Sequence, residues 1–524
     1  MSARDSAYHA LNRLAYGATP GLVDRIAREG VLTWIDRQLA VERIDDPALS
    51  LRDQFPVLST SPEDLLRTYT RIRQERRAEK RDAAGDSTMT PAERQRRMDP
   101  EARALREIGG ELQQLVVVRA ARSDHQLAEV MADFWANHFN VFYGKNLDRV
   151  YLPEYIEGTI RPNALGRFAR LLEATAKSPA MMVYLDNAQS VAPGSRPPQL
   201  DRLERLGRMR GRQRFPNVPS PEQMEQLKQR MPTGLNENYA RELMELHTLG
   251  VDGGYTQRDV TEVARVLTGW SVDRPLQSGG YAFHSWAHDR GAKTILGVDF
   301  PAGEGEAEGE RLLRILADHP STMHYVSGKL CARFVDDDPP DGCVDDAVRA
   351  WKRSDGSIRE VLRAIFHSPD FWAPRHVGAK IKTPLEFVAS AVRAVGGTPD
   401  STPRLAQAVT WLGQPLYLHT APNGYPERQD DWVNSGALLS RMNLAVQLAA
   451  NRLPGVTVDL DAVLPLTEDH QELVDAVNRL ILSGKMTAET RRVILDQLVE
   501  VNNVVTARAL AVGLAIGGPE FQRQ

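Results

Sequence analysis

The sequence contains only two cysteines, Cys331 and Cys343, among its 524 residues. Two cysteines are too few for the disulfide framework that stabilises small secreted domains. They form no CxxC pair, so a zinc site built from thiolates is not expected. The two residues could pair in principle, but we expect two reduced thiols.

The sequence also lacks an excess of positive charge and a long hydrophobic run. The formal net charge is −4 at pH 7, which gives no general attraction to nucleic acid. No segment reaches the roughly 18 apolar residues of a membrane helix, and the first residues lack the basic and apolar regions of an export signal. We expect no nucleic-acid partner, no membrane span and a cytoplasmic location for the sequence as it stands. A periplasmic or exported location is expected only if a leader has been removed.

Missing motifs exclude several classes of enzyme. No GxGxxG pattern follows a predicted strand and no GxxxxGK[ST] pattern occurs, so the sequence carries no signal for a nucleotide cofactor. The GxSxG pattern of the α/β-hydrolases is also absent.

The composition and the apolar spacing indicate a soluble, mainly α-helical protein. Hydrophobic residues make up 42% and charged residues 26% of the chain, as in folded soluble proteins. Apolar residues recur at helical spacing, most clearly over residues 126–142. We predict a large multi-helix globular fold with at most a small β-hairpin, within residues 279–300. Further helices are predicted at residues 236–249, 257–270, 321–335, 358–366, 384–395, 434–451, 469–483 and 487–499.

Three segments stand out within the single helical unit predicted for residues 1–524. Residues 69–107 hold eleven basic and eight acidic residues, and this near balance favours an exposed helical hairpin insertion over a nucleic-acid-binding arm. Residues 190–231, rich in proline and arginine, are typical of a long mobile loop or lid. Residues 452–524 are predicted to form a C-terminal helical extension.

The segment NENYARELMELHTLG, residues 236–250, offers the clearest candidate chemistry. At about 100° per residue, Asn238, Arg241, Glu242 and Glu245 share one helix face, and His247 lies on the opposite, apolar face. The carboxylates of Glu242 and Glu245 converge, so they can bind a cation. The alternative is a surface ladder of ion pairs.

Histidines elsewhere in the middle of the chain add potential ligands. His138 lies on the apolar face of the 126–142 helix, where a buried imidazole needs a hydrogen-bond partner or a metal. His247 faces inward on its own helix and can meet His138. His288 stands next to Asp289 on a predicted loop, where both suit a ligand or acid–base role.

These residues define a predicted site in a pocket between the 126–142 and 236–249 helices, with lids from residues 190–231 and 281–293. A zinc, manganese or iron ion would activate water or oxygen there. Glu237 or Asp289 would act as general base, and Arg241 would orient an anionic group of the substrate. The spacing matches neither HExxH nor ExxH. The candidate metal ligands are His138, Glu242, Glu245, His247 and His288.

Two other features carry weaker signals. Lys329 and Arg333 lie one helical turn apart and can hold a phosphate or carboxylate, or remain on a solvated face. His419 precedes a loop rich in proline and glycine, residues 421–429, which can form the wall of a pocket or simply cross the surface.

Several of these motifs, taken in order, resemble the bacterial family catalogued as domain of unknown function 1800. They are LNRLAYGATPG, FWANHFNVF, the extended motif from NENYARELMELHTLG to VLTGW, HDRGAKTILG, HPSTMHYVSGKLCARFV and APNGYP. The resemblance runs from about residue 6 to about residue 450. It implies one family-wide unit, frequent export and a sulfatase-like companion protein, but no mechanism. The missing export signal is a departure from the family.

Three functional hypotheses follow. The first is a metal-dependent hydrolase or oxidoreductase acting on a small molecule or a polymer. The second is a non-catalytic binding or assembly protein, in which the polar helix face is a structural network. The third is a metal-free enzyme acting on a sugar through paired carboxylates, such as Glu242 and Asp289.

Overall fold

The computed structural model describes residues 1–83, 99–145, 147–209, 222, 225, 234–275 and 279–524. The chain is mainly α-helical, as predicted, and its helices surround a hydrophobic core that includes residues from Ala7 to Phe521. The α-helices are Ala3–Leu14, Leu22–Glu29, Val31–Leu39, Pro62–Ala83, Asp99–Arg122, Gln126–His138, Asp148–Glu154, Arg161–Asn163, Phe168–Ala176, Pro179–Tyr184, Pro198–Met209, Asn238–Met244, Gln257–Val266, Glu306–Ala317, Pro320–Phe334, Asp341–Ser354, Ile358–His367, Pro384–Ala394, Arg404–Trp411, Ser435–Ala449, His470–Ile481, Ala488–Leu498, Val504–Gly517 and Pro519–Gln522.

Two segments adopt the wider π-helix, Tyr155–Ile160 and Glu245–Leu249. The second continues directly from the Asn238–Met244 helix, so the predicted 236–249 helix changes its hydrogen-bonding pattern halfway. π-Helical turns are frequent at functional sites. Short 3-10 helices occur at Val41–Arg43, Pro47–Gln54, Asn187–Gln189, Pro374–His376, Gln429–Asp431 and Leu460–Ala462.

Strands form three small antiparallel pairs in the described part of the chain. Their partners are Trp270–Val272 with Tyr281–Phe283, Lys293–Ile295 with Val298–Phe300, and Thr398–Pro399 with Val456–Thr457. The expectation that residues 279–300 hold the only strands is therefore wrong. The additional strands have two or three residues each, which is too short for alternation to be recognised in the sequence.

The Gln126–His138 helix crosses the core and positions much of the candidate site. Leu127, Val130 and Phe134 are buried along its apolar stripe. The helix ends at His138 because Phe139 leaves the helical conformation, with φ −102° and ψ 51°. The apolar residues at 141 and 142, which the pattern assigned to the helix, pack on the core from a loop instead.

The Pro320–Phe334 helix begins one residue before the predicted start at residue 321. His319 is the N-cap, and its Nδ1 accepts a hydrogen bond from the Ser321 backbone N–H at 3.2 Å. Pro320 occupies the first helical position, where its missing N–H costs nothing.

A disulfide joins Cys331, near the end of that helix, to Cys343 in the Asp341–Ser354 helix. The expectation of two reduced thiols is wrong here. The two helices are consecutive and pack together, which brings the start of the second beside the end of the first, with a Cα–Cα distance of 6.3 Å. This distance lies within the usual range for disulfides. The bond spans a short connection that contains Asp336, Asp337 and Asp338.

Two of the three segments singled out in the sequence are described only in part. The helices Pro62–Ala83 and Asp99–Arg122 cover both ends of residues 69–107, and residues 84–98 lie outside the described ranges. The Pro198–Met209 helix falls in the predicted loop at residues 190–231, most of whose remainder is likewise outside them. Within the described ranges, every helix is too short or too polar to cross a membrane.

The C-terminal residues pack closely on the rest of the chain. The Val504–Gly517 helix approaches the Ser435–Ala449 helix at Gly513, where an added Cβ would lie 2.8 Å from the Val446 Cα. Farther on, the backbone of residues 522–524 pairs with residues 380–382. The Lys382 N–H donates to the Gln522 carbonyl, and the Gln524 N–H donates to the Lys380 carbonyl, both at 2.9 Å.

Candidate functional site

The two predicted histidines meet, but in an apolar setting. His138 Nε2 lies 3.2 Å from the His247 backbone oxygen, and the ring centroids are 6.3 Å apart. Phe139 packs on both rings, at 4.5 and 5.0 Å between centroids. Burial, reinforced by the charge of Lys329, lowers the pKa of His247 to about 3 and that of His138 well below its ordinary value. Both imidazoles are therefore neutral at pH 7.

The two carboxylates of the polar helix face lie apart from these rings. Glu242 and Glu245 are half-buried, and Glu245 accepts a long hydrogen bond from the Tyr255 hydroxyl at 3.4 Å. Burial and the neighbouring Glu245 raise the pKa of Glu242. Among the described residues, no hydrogen bond or ion pair joins either carboxylate to His138 or His247.

Glu237 and Arg241 connect two helices at the surface. The two oxygens of Glu237 accept hydrogen bonds from Thr261 Oγ1 at 2.7 Å and Gln257 Nε2 at 2.8 Å. Arg241 donates to Gln257 Oε1 at 2.7 Å and lies 3.9 Å from Glu237. This arrangement resembles the structural network of the second hypothesis.

Asp289 and His288 belong to a separate buried network. Arg265 holds both oxygens of Asp289, at 2.9 and 3.0 Å, and lowers the pKa of that carboxyl. His288 Nδ1 lies 2.9 Å from the Thr268 backbone oxygen. Its Nε2 lies 3.6 Å from Glu308, which is bound in turn by Lys293. An ion-paired carboxylate of this kind is a poor general base.

The predicted metal ligands thus lie in three places. The histidine pair 138 and 247, the acids 242 and 245, and His288 do not converge. Within the described ranges, no three His, Cys, Asp or Glu side chains are close enough together to hold a metal. The metal site stays a prediction without support from this geometry.

A small pocket of about 40 Å³, open to solvent, lies on another side of the Gln126–His138 helix. The helix forms one wall, and residues 414–417 and 425–427 contribute to another. The lining residues are Asp133, Ala136, Asn137, Asn140, Arg333, Thr383, Glu386, Gln414, Leu416, Tyr417, Tyr425, Pro426 and Glu427.

Asn137 fastens the loop rich in proline and glycine to the helix. Its side chain donates to the Tyr425 carbonyl at 2.8 Å and accepts from the Tyr425 N–H at 2.7 Å. Gly424 has φ +71°, and an added Cβ would lie 2.4 Å from the Asn137 carbonyl oxygen, so a side chain at this position would displace the loop. Asn140 donates to the carbonyls of His419 and Ala421. The loop therefore forms a wall of the pocket, which was one of its two predicted roles.

Tyr417 occupies a strained backbone conformation at the pocket wall. Its φ is +62°, in the left-handed region that a tyrosine rarely adopts. Hydrogen bonds to three consecutive backbone carbonyls hold this turn, with lengths of 2.7 to 2.9 Å. The Pro415 carbonyl accepts from the Tyr425 hydroxyl, the Leu416 carbonyl accepts from Gln113 Nε2, and the Tyr417 carbonyl accepts from the Tyr143 N–H. The Tyr417 hydroxyl itself makes no hydrogen bond within the described residues.

Asp133 is the distinctive titratable group of the pocket. Its carboxyl has no hydrogen bond or ion pair in the described part of the chain. Burial, with smaller contributions from the charges of Glu427 and Glu386, raises its pKa to about 7 against the opposing effect of Arg333. Arg333 forms an ion pair with Glu386, with 2.5 Å between the guanidinium nitrogen and the carboxylate oxygen. A carboxyl with these properties exchanges protons near neutral pH.

Asp133, Tyr417 and Glu427 were not among the predicted site residues. The available signal was the helical spacing of the polar residues 133, 137 and 140 within the predicted 126–142 helix. The prediction that Lys329 and Arg333 can hold an anion together gains no support, because Arg333 is paired with Glu386.

The fold and the pocket define a mainly helical protein with a half-enclosed acidic cavity. A family model described as "Protein of unknown function (DUF1800)" matches residues 9–523, so the chain belongs to this family, as its motifs indicated. The match includes every residue that lines the pocket. No curated protein and no solved structure matches the chain.

Proposed function

We propose that the chain is an acid–base hydrolase whose site is the pocket lined by Asp133, Tyr417 and Glu427, and that its substrate is an oligosaccharide. The observation that carries this proposal is the unpaired carboxyl of Asp133 in a pocket open to solvent. Burying a carboxyl without a partner destabilises a protein, and such a cost is common where the group serves catalysis. This is the metal-free glycoside-acting enzyme of the third hypothesis, with Asp133 and Glu427 as its carboxylates in place of Glu242 and Asp289.

The protonation state of Asp133 suits a general acid. With a pKa of about 7, a large fraction of its carboxyl keeps the proton at neutral pH, as a proton donor to a leaving oxygen requires. Glu427 is the second carboxyl of the pocket, and it makes no hydrogen bond or ion pair within the described residues. Two carboxyl groups in different environments are the usual pair for glycoside hydrolysis.

The proposed reaction is balanced in protons. Asp133 gives its proton to the glycosidic oxygen as the bond from that oxygen to the anomeric carbon breaks. Glu427 takes a proton from a water molecule whose oxygen bonds to the same carbon. The products are an alcohol and a sugar with a free anomeric hydroxyl, and solvent returns the proton from Glu427 to Asp133. Tyr417 and Tyr425 provide aromatic faces in the lining of the pocket, as is usual where ligands bind.

The experiment is a screen of the full chain against polysaccharides and chromogenic glycosides, read as new reducing ends. Once a substrate is found, D133N and E427Q are expected to lower kcat at least 100-fold, because a general acid or base contributes about 10²–10⁴-fold. E242Q is the matched control, since Glu242 is a half-buried acid outside the pocket. Activity should fall as the pH rises through about 7, where Asp133 loses its proton. An active D133N with an inactive E242Q would refute the pocket and favour the site predicted between the two helices.

The alternative, a metal-dependent hydrolase or oxidoreductase, is tested by metal analysis. Zinc, manganese and iron are measured in protein purified without chelator, and the activity is compared before and after chelation. Stoichiometric metal whose removal abolishes activity would replace the present proposal. Protein without detectable hydrolysis of any glycoside would favour a binding or assembly role.

A further inference from the structure

We propose that the Tyr417 hydroxyl is a further catalytic group of the pocket, donating a hydrogen bond to the oxygen that leaves with the Asp133 proton. This inference rests on the proposed hydrolase function for its reaction. Its own observations are the conformation of Tyr417, the anchoring of its turn and the unpartnered hydroxyl.

The backbone at Tyr417 is held in a conformation that its residue type disfavours. A left-handed φ destabilises a non-glycine residue, because its Cβ lies too close to the following carbonyl oxygen. Asparagine or glycine would adopt this conformation more easily. The strain persists because the carbonyls of residues 415, 416 and 417 are each held by a different segment of the chain. Strain that the surroundings impose in this way is concentrated at functional sites.

Structural tyrosines near the pocket use their hydroxyls differently. Tyr425 donates to the Pro415 carbonyl at 2.8 Å, Tyr184 to the Thr420 carbonyl at 2.8 Å, and Tyr155 to the Phe139 carbonyl at 2.7 Å. Tyr417 lines the same cavity with no such partner among the described residues. A buried polar group normally has a hydrogen-bond partner, so the unpartnered hydroxyl of Tyr417 is suited to bind a ligand.

The charges around Tyr417 keep its hydroxyl protonated. Burial, then the charges of Asp133 and Glu157, raises the pKa of this phenol, against the smaller opposing effects of Arg161 and Arg119. Those two arginines are themselves paired, Arg119 with Glu157 and Arg161 with Glu129. A phenol that stays neutral can donate a hydrogen bond, and fixed donors of this kind stabilise charge that develops on an oxygen in the transition state.

The kinetic test compares Y417F with Y425F. Y417F removes a hydroxyl that has no partner in the described structure, so the thermal midpoint should change by less than a degree while kcat falls about 100-fold with little change in KM. Y425F removes the bond to Pro415 and should lower the midpoint measurably. Equal activity of Y417F and the wild type would overturn the inference, as would a midpoint loss in Y417F as large as that in Y425F. An inactive D133N beside a fully active Y417F would overturn the inference and leave the hydrolase proposal intact.

A second measurement needs no substrate. N-acetylimidazole acetylates tyrosine hydroxyls that solvent can reach, and mass spectrometry locates the modified residues in the full chain. We expect Tyr417 to be modified at least tenfold faster than Tyr425 and Tyr155, whose hydroxyls are bonded to carbonyls. Protection of Tyr417 equal to that of Tyr155 would mean that its hydroxyl does not open to the pocket, and would overturn the inference regardless of the activity.

Discussion

Replacing Asp133 with asparagine is expected to stabilise the folded chain at and above neutral pH. The unfolded carboxyl titrates near its ordinary pKa of 3.8, and in the folded chain the pKa is raised to about 7. Between these values the folded state keeps a proton that the unfolded state has lost, so stability falls as the pH rises, by about 1.4 kcal/mol per pH unit. Over about three units the penalty reaches about 4 kcal/mol above pH 7, and it is absent below pH 3.8.

The assay is urea unfolding of wild type and D133N, followed by circular dichroism at pH 4.5, 6 and 8. Asparagine has nearly the same shape and cannot ionise, so the advantage of D133N should be small at pH 4.5 and largest at pH 8. E129Q is the matched control one turn earlier on the same helix. Glu129 is held by Arg161 at 2.5 and 2.7 Å, and breaking a buried pair of this kind costs about 3–5 kcal/mol. E129Q should therefore be destabilised at pH 8, where D133N is stabilised.

A D133N variant less stable than the wild type at pH 8 would contradict this expectation, because the ionised carboxyl would then have a favourable partner in the folded state. A stability difference between the two proteins that does not change with pH would contradict it as well. A carboxyl in free contact with solvent would give that result.

Three further predictions concern other parts of the chain. Lys382 is buried, its Nζ has no hydrogen-bond partner among the described residues, and burial lowers its pKa from 10.5 to about 7. The folded chain therefore loses stability as the pH falls from 10.5 to 7, and K382M should raise the thermal midpoint at pH 7 but not at pH 10.5. A lower midpoint of K382M at pH 7 would contradict this expectation. G424A and G413A both place a side chain at positive φ, but only the first would meet the Asn137 carbonyl at 2.4 Å, so G424A should lose activity and G413A should keep it; equal activity of the two variants would count against the loop as a pocket wall. The double variant C331S/C343S should lose about 2–4 kcal/mol in non-reducing urea unfolding, and an unchanged midpoint together with free thiols in the wild type by mass spectrometry would mean that the bond does not form.

The helical architecture was predictable because amphipathic spacing is a local property. The stripe in the Gln126–His138 helix and the opposed faces of residues 238–247 follow directly from residue order. The helix ends four residues before its predicted end, and Asn140, just beyond it, donates to the carbonyls of residues 419 and 421. Contacts between segments nearly 280 residues apart leave no trace in local periodicity.

The candidate site was harder to predict for the same reason. His138 and His247 do approach each other, yet whether a buried imidazole meets acids or aromatic rings depends on packing among distant segments. Asp133 was overlooked because a lone carboxyl on a helix flank is usually solvated. The pKa of Asp133 depends on the loop at residues 421–427 and on Arg333, whose charge is already paired with Glu386. The disulfide likewise depends on how two consecutive helices pack, rather than on cysteine spacing.

The pairing of residues 522–524 with residues 380–382 has a consequence for biosynthesis. Gln524 also donates to Glu386 Oε2 at 3.1 Å, so Glu386, which lines the pocket, has a hydrogen-bond donor 138 residues farther along the chain. A ribosome adds about 5–20 residues per second, so roughly 7–30 s pass between the synthesis of Glu386 and that of Gln524. During that interval Glu386 lacks this hydrogen bond, and in a growing chain that is stalled before residue 522 the pocket should form without it.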